Sequence, residues 1–190
     1  MTSWVEIANG AISRLGGQLI TSLGDNTKPA QLANARYKVC RNAVLRMHPW
    51  NCATARAQLA PSSTTPPFDF SYSLPIPSDC LRVVEVLPEG TEYRVEGRSI
   101  LSNSTLLNIR YIKEIEDAAQ IDPLLGEAIS AYMAHDLAFS LQQSAEYRQV
   151  IWQEFEAIIR RAKSVDGMED AAQRIEATEF TYARNSGPLG

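Results

Sequence analysis

The sequence predicts an α+β fold: a four-helix bundle of two N-terminal and two C-terminal helices, with an inserted small antiparallel β domain and an extended C-terminal tail. Apolar residues recur at helical spacing near both ends of the chain, and short alternating runs fill the middle. No strand–helix–strand alternation that would build a parallel sheet occurs. The predicted division is 1–58 for the N-terminal helical pair, 59–118 for the β domain, 119–168 for the C-terminal pair and 169–190 for the tail.

The first helix is expected to begin after Ser3, which has capping-box spacing to Glu6. The hydroxyl of Ser3 can accept from a first-turn amide, and Glu6 can reach back to the amide of Ser3. Gly16 and Gly17 supply a left-handed position that ends the helix. Between these signals runs an apolar stripe that consists of Val5, Ile7, Ala8, Ala11, Ile12 and Leu15.

The second helix has equally clear boundaries. Asn26 or Thr27 can cap it, and Pro29 falls in its first turn, where proline is favoured. The helix is expected to stop at His48, because a residue that precedes a proline, here Pro49, is disfavoured in the α region.

The middle of the chain has strand character. The run FDFSYSL places large apolar residues on one face at a period of two, namely Phe68, Phe70, Tyr72 and Leu74. The runs LRVVEVL, EYRVEG and LLNIRYI follow, and turn residues separate them. About four or five antiparallel strands in one small sheet or barrel are predicted.

Two more helices are expected near the C-terminus. Asp122-Pro123 starts the first, whose apolar face is Leu125, Ile129, Met133, Leu137 and Leu141. Ser144 can cap the second, which is expected to end near Gly167. The remaining stretch, EDAAQRIEATEFTYARNSGPLG, is polar and is expected to be an extended tail.

The bulk composition excludes several classes of protein. A net charge of -4 with scattered basic residues argues against sequence-independent DNA binding, which needs clustered Lys and Arg. No apolar run is long enough to span a bilayer, and the start MTSWVEIANG lacks the features of a signal peptide, so a cytoplasmic protein is expected. The three cysteines, Cys40, Cys52 and Cys80, are expected to be free thiols.

The stretch LRMHPWNCA combines His48, Pro49, Trp50 and Cys52. Its spacing matches no standard zinc module, and no third residue is evident that would orient a Cys/His nucleophile pair. A structural corner is the better interpretation, in which proline ends the helix, tryptophan fills the space beneath the turn and histidine caps the last carbonyls. No metal and no cofactor is therefore predicted.

Enzymatic chemistry has no strong anchor in the sequence. There is no Gly-rich phosphate loop and no GxSxG elbow, and no catalytic residue is predicted. A polysaccharide hydrolase of the cell wall or capsule stays open as the alternative function. It needs two carboxylates at a suitable separation in space, which the spacing in the sequence does not show. The candidates near the strands are Glu85, Glu89, Glu92, Glu96, Glu114, Glu116 and Asp117. A DNA-end binding module is the third possibility.

Several motifs together resemble the tail tubular protein A family of tailed bacteriophages, which are adaptor rings between portal and tail. They are IANGAISRLGG, ITSLGD, the run QLANARYKVCRNAVLRMHPWNCATARAQLA, LPIPSDCLRV, LNIRYI and DPLLGEAISAYMAHDLAFSL. The resemblance extends from about Val5 to the fourth helix. The helix that ends in HPWN and the LPIPSDC turn are its most specific parts.

This resemblance implies a structural virion protein without catalytic residues, located in the tail or neck and assembled in the bacterial cytoplasm. It implies a ring, twelvefold on the portal protein, that receives the nozzle, tail tubular protein B, and lets DNA pass without specific binding. It also places the C-terminal segment against the portal. The expected portal contacts are Ile175, Phe180, Tyr182, Arg184 and Leu189.

Overall fold

The computed structural model describes residues 2–142 and 144–169. It is an α+β fold in which six strands lie between two pairs of helices along the chain. The helices are α1 (Trp4–Arg14), α2 (Lys28–Arg46), α3 (Pro123–Gln142) and α4 (Ala145–Glu169). The strands are β1 (Thr54–Leu59), β2 (Tyr72–Pro75), β3 (Cys80–Leu87), β4 (Tyr93–Glu96), β5 (Ser99–Ser102) and β6 (Leu107–Lys113).

The predicted capping box of α1 is confirmed. Ser3 Oγ accepts from the Glu6 amide at 3.1 Å, and Glu6 Oε2 accepts from the Ser3 amide at 2.8 Å. The chain turns away just after α1 at Gly16, whose φ of 64° lies in the left-handed region that favours glycine.

The other three helices also begin at the predicted caps. Thr27 Oγ1 accepts from the Ala30 amide at 3.4 Å, Asp122 Oδ1 accepts from the Leu124 amide at 2.9 Å, and Ser144 Oγ accepts from the Tyr147 amide at 3.2 Å. Side-chain oxygens thus satisfy first-turn amides that have no partner within the helix. Within the described ranges, none of these helices has the length and apolar character needed to span a membrane.

The strands form two antiparallel sheets, so the prediction of one small sheet or barrel is wrong. The first sheet has the order β1-β6-β3 and the second has the order β2-β5-β4. Strand β1 was not predicted, since its sequence TARAQL falls in the stretch assigned largely to the helical pair. It exists because it pairs along its whole length with β6, some fifty residues later in the chain.

The alternation in FDFSYSL predicts a strand that is longer than the observed one. Asp69 has a φ of 65°, which is incompatible with an extended strand, and β2 begins only at Tyr72. The side chain of Phe68 is 73% exposed, whereas Leu74 is fully buried as predicted. The periodicity therefore identified the correct buried face only in the last residues of the run.

Helix α3 is the central helical element, because it packs against α1, α2 and α4. Its approach to α1 is close at Gly10, where an added Cβ would lie 2.5 Å from Ser130 Oγ. Two buried clusters join the helices, and a third, smaller cluster lies between the sheets. The third cluster comprises Leu59, Leu74, Cys80, Val86, Ile100, Leu107, Ile109 and Tyr111.

The helical and β regions are joined by a buried guanidinium. Arg41 on α2 is only 1% exposed and forms an ion pair with Glu114, which follows β6 directly. Its Cζ lies 5.3 Å from the ring centroid of Trp4 on α1, at cation–π distance. The indole of Trp4 donates to the carbonyl of Glu116 at 2.7 Å, so both ends of the connection after β6 are held.

Candidate functional site

The stretch from His48 to Trp50 forms a turn directly after α2. Trp50 is buried and its Nε1 donates to the carbonyl of Val44 in the last turn of α2, at 3.2 Å. The ring of His48 packs edge-on against Trp50, with 4.8 Å between centroids. The indole therefore fills the space beneath the turn and satisfies a carbonyl at the helix end.

The polar partner of His48 is a residue that sequence reasoning missed. His48 Nε2 lies 3.1 Å from Asp166 Oδ2 near the end of α4, instead of capping the carbonyls of α2. Asp166 Oδ1 also accepts from the Asn51 amide at 3.0 Å, and the Asp166 carbonyl accepts from Asn51 Nδ2 at 2.9 Å. We call this set, His48, Asn51 and Asp166, the corner clip. It fixes the C-terminal end of α4 against the turn after α2.

The three cysteines are free and lie in different surroundings. Burial is the main cause that raises the pKa of Cys40 to about 12, and the nearby carboxylate of Asp136 adds to it. Burial also raises the pKa of Cys52 and of Cys80. Each thiol is thus protonated near neutral pH, which is unfavourable for a nucleophile or a metal ligand.

The described residues contain no group of three or more His, Cys, Asp or Glu side chains placed to hold a metal ion. The second histidine, His135 on α3, accepts from Arg148 Nε at 3.1 Å, given the tautomer with a free Nε2. Burial, followed by the charge of Arg148, lowers the pKa of His135. Its ring lies 4.8 Å from that of Trp152, so its contacts belong to the α3–α4 interface.

The candidate carboxylates of the β region are dispersed. Glu85 on β3 is paired with Arg110 on β6, and Glu114 is paired with Arg41. The other five are exposed: three lie at turns or on β4, and two follow Glu114 in the connection to α3; together these are Glu89, Glu92, Glu96, Glu116 and Asp117. The two carboxylates in the sheet region with the most burial thus already have guanidinium partners.

Large apolar side chains are exposed in several regions of the described chain, and two of these regions are the helices α2 and α3 and the strand β4. On α2, Val39 is exposed and lies on the same face as Leu32, which is half-buried. Phe139 of α3, which is 63% exposed, lines a shallow cavity of about 630 Å³ with Leu32. We call Leu32, Val39 and Phe139 the helical patch. Strand β4 is exposed along its whole length, although it carries Tyr93 and Val95, which we call the hairpin patch.

Another residue that the sequence analysis missed is Arg14, which ties α1 to α3 and α4. It forms ion pairs with Glu127 and Glu154, and its Nη1 donates to Ser130 Oγ at 2.9 Å. Its spacing from Gly10 places both on one helical face, which is the only signal the sequence carries for this contact.

The predicted portal contacts, Ile175, Phe180, Tyr182, Arg184 and Leu189, lie outside the described residues. No protein-family model matches this chain, and no match was found among characterised proteins. The adaptor family and the portal contacts therefore stay predictions that rest on the motifs of the sequence.

Proposed function

We propose that the protein is a structural head-to-tail adaptor of a tailed bacteriophage, which forms a ring between the portal and the tail nozzle. The observation that carries this proposal is the presence of two exposed apolar patches in different regions of one chain. A ring of identical subunits closes through heterologous contacts, in which one surface of each subunit meets a different surface of the next. The helical patch and the hairpin patch are two such surfaces.

The patches have the composition expected of interface centres. Phenylalanine and tyrosine are enriched at the cores of protein interfaces, whereas large exposed apolar side chains on a monomer are costly when they are clustered. The helical patch lies beside the Arg36–Asp136 ion pair, with an Nε–Oδ2 distance of 2.7 Å, which supplies a polar edge. An apolar centre with a polar rim is the usual arrangement of an interface.

The finer architecture belongs to the same proposal. The four helices complete a bundle around α3, and residues 169–190 extend from it as a tail that contacts the portal through Ile175, Phe180, Tyr182, Arg184 and Leu189. The ring is twelvefold on the portal, receives tail tubular protein B and resides in the virion. It requires no cofactor and no catalytic residue.

A lumen through which DNA moves must not hold the phosphates. The net charge of -4 weakens the attraction between the subunit and the DNA backbone, because non-specific affinity comes from clustered basic side chains that release counterions. The ring, which assembles after DNA packaging, is thus expected to let DNA slide through its lumen during ejection.

Mass photometry tests this function with the purified full chain, alone and after mixing with its cognate portal ring. We expect a monomer alone and a mass step of many subunits on the portal. Replacing Phe139 or Val95 by Asp is expected to weaken the apparent affinity for the portal ring by at least about tenfold, because a charge would be buried at the interface.

Phe68→Asp is the matched control, because Phe68 is also highly exposed but lies outside both patches. It is expected to assemble like the unaltered chain. Absence of any association with the portal would overturn the adaptor function. Normal assembly of both patch variants would overturn the assignment of the patches as subunit interfaces.

A further inference from the structure

One face of the first sheet carries more positive than negative charge. Arg56 on β1 is paired directly with Arg110 on β6, which is paired on its other side with Glu85 on β3. The next row across the same face is Gln58, Asn108 and Leu87. We call these six residues the arginine face. The opposite face of the sheet is buried against the second sheet.

Only one of the two arginines of this face has a carboxylate partner among the described residues. Arg110 Nη2 lies 2.7 Å from Glu85 Oε2, at ion-pair distance. Arg56 is exposed and has no ion pair within the described part of the chain. Like charges at directly opposed strand positions are unfavourable, so a further carboxylate between Arg56 and Arg110 would stabilise this row.

The surface beside this pair is concave and partly apolar. Two cavities of about 360 and about 500 Å³ lie next to it, and both are lined by Arg56 and Arg110. The larger cavity is also lined by Pro49, Asn51 and Val84. It therefore offers two guanidinium groups next to apolar surface, which suits a segment with both carboxylate and aromatic side chains.

The corner clip brings the end of α4 to the same place. Asp166 is bonded to Asn51, and Asn51 lines the larger cavity. Glu176 follows Glu169, the last residue of α4, by seven residues, which span at most about 25 Å when extended. The distance to be covered is smaller, because Arg56 follows Asn51 by five residues and so lies at most about 17 Å from it. A segment of this chain that follows α4 is therefore long enough to reach Arg56 and Arg110.

We propose that residues 175–182 of the same chain dock on the arginine face, with the carboxylate of Glu176 between Arg56 and Arg110. The segment reads IEATEFTY, which is rich in residues that favour extended backbone. At a period of two, Glu176, Phe180 and Tyr182 lie on one side. That side places the charge at the arginines and the rings against the apolar part of the cavities.

The docked segment overlaps the residues proposed to contact the portal. If the proposed function holds, docking and portal binding are mutually exclusive, so a free subunit keeps its portal-binding residues covered until it meets a portal ring. The docking itself does not depend on that function, and its test contains no portal. Failure of the docking and failure of the adaptor proposal are therefore distinguishable.

Limited proteolysis of the full chain by chymotrypsin tests the docking, because Phe180 and Tyr182 are cleavage sites that docking buries. The rate of release of the fragments beyond these residues is measured by mass spectrometry under native conditions. Arg56→Glu and Glu176→Arg are each expected to accelerate release by about tenfold, since each leaves like charges in contact. The double charge swap is expected to restore slow release.

Two variants serve as matched controls. Arg94→Glu alters an exposed strand arginine on the second sheet, and Glu179→Arg alters a glutamate on the opposite side of the segment. Both are expected to leave the rate unchanged. Arg56→Gln, which keeps most of the side chain, replaces Arg56→Glu if circular dichroism shows that the latter is unfolded.

Equal cleavage rates in the unaltered chain, Arg56→Glu and Glu176→Arg would overturn the proposal, and so would a charge swap that fails to restore slow release. Docking within one chain also predicts a rate that is independent of protein concentration. Loss of protection on about hundredfold dilution would show that a second copy supplies the segment and would overturn docking within the chain.

Discussion

The helical region and the β region are stabilised in different ways. The helices share two extensive buried clusters, and α3 packs against all three others. The β region has one smaller cluster between two three-stranded sheets, and β4 is exposed throughout. A small core supplies less apolar burial to offset chain entropy, so the β region is expected to open at lower free energy than the helices.

Polar contacts sharpen the same contrast. In the helical region, Arg14, Arg41 and Asp166 are largely removed from water and each joins two or three elements. On the second sheet, Arg94 and Glu96 are 3.8 Å apart and both exposed. Exposed pairs contribute little, whereas a buried charge is costly once its partner is removed. Polar contacts thus stabilise the helical region more than they stabilise the second sheet.

The largest expected effect follows from Arg41, which joins both regions. Arg41→Met removes the partner of Glu114 and the cation–π contact with Trp4, and it keeps most of the side-chain volume. We expect the free energy of unfolding in urea to fall by about 3 kcal/mol. The indole contact alone accounts for a smaller share, about 0.5–2 kcal/mol.

Arg94→Met is the control for this experiment, because Arg94 is exposed and its ion pair is long. Its free energy of unfolding is expected to change by less than about 0.5 kcal/mol. A loss below about 1 kcal/mol in Arg41→Met would show that the buried guanidinium does not connect the two regions, since surface substitutions alone have effects of that size.

The helices were predictable because their signals are local. Ser3, Thr27, Asp122 and Ser144 act as caps in the structure as their positions in the sequence indicate. Strand β1 was not predictable in this way. Its residues have weak strand preference, and it forms through pairing with β6, a contact between distant parts of the chain that local pattern does not reveal.

The candidate sites show the same limit. The helical pattern of the sequence is compatible with an exposed Phe139. Only the packing of α2 beside α3 shows that Phe139 lies next to Leu32. Likewise, the pairing of Arg56 with Arg110 depends on strand register, which cannot be read before β1 is known. Local reasoning located the corner at Trp50, yet Asp166 lies more than a hundred residues away in sequence.

The alkylation rates of two buried thiols report how readily the helical region and the β region open. Cys40 lies in a helical cluster and Cys80 in the β cluster, and burial raises the pKa of both. Alkylation therefore requires opening of the surrounding region, where the thiol regains an ordinary pKa. We expect Cys80 to react at least about tenfold faster than Cys40 in native buffer, which corresponds to about 1.4 kcal/mol.

Mass spectrometry of peptides after timed addition of iodoacetamide at pH 8 measures the two rates. Cys52 is only half-buried and serves as the internal reference, with the fastest labelling of the three. Equal rates at Cys40 and Cys80 would mean that the two regions open together, and the contrast drawn above would then be wrong. Alkylation of all three thiols in denaturant supplies the intrinsic rates.

The smallest expected effects come from two Gly→Ala substitutions, which test backbone conformation without a change in packing. Gly97, in the turn between β4 and β5, has a φ of 56°, whereas Gly167 lies within α4. An added Cβ would meet nothing within 4 Å at either position. Gly97→Ala is expected to lower the free energy of unfolding by about 1 kcal/mol, because a left-handed backbone is strained with a side chain.

Gly167→Ala is expected to raise the free energy of unfolding by up to about 1 kcal/mol, because alanine favours helix over glycine. The two variants thus make the same chemical change in equal space and are expected to shift urea unfolding in opposite directions. If opening of the sheets precedes that of the helices, Gly97→Ala will also accelerate labelling of Cys80 and leave Cys40 unchanged. Acceleration of both thiols by Gly97→Ala would instead show that the hairpin and the helices unfold as one unit.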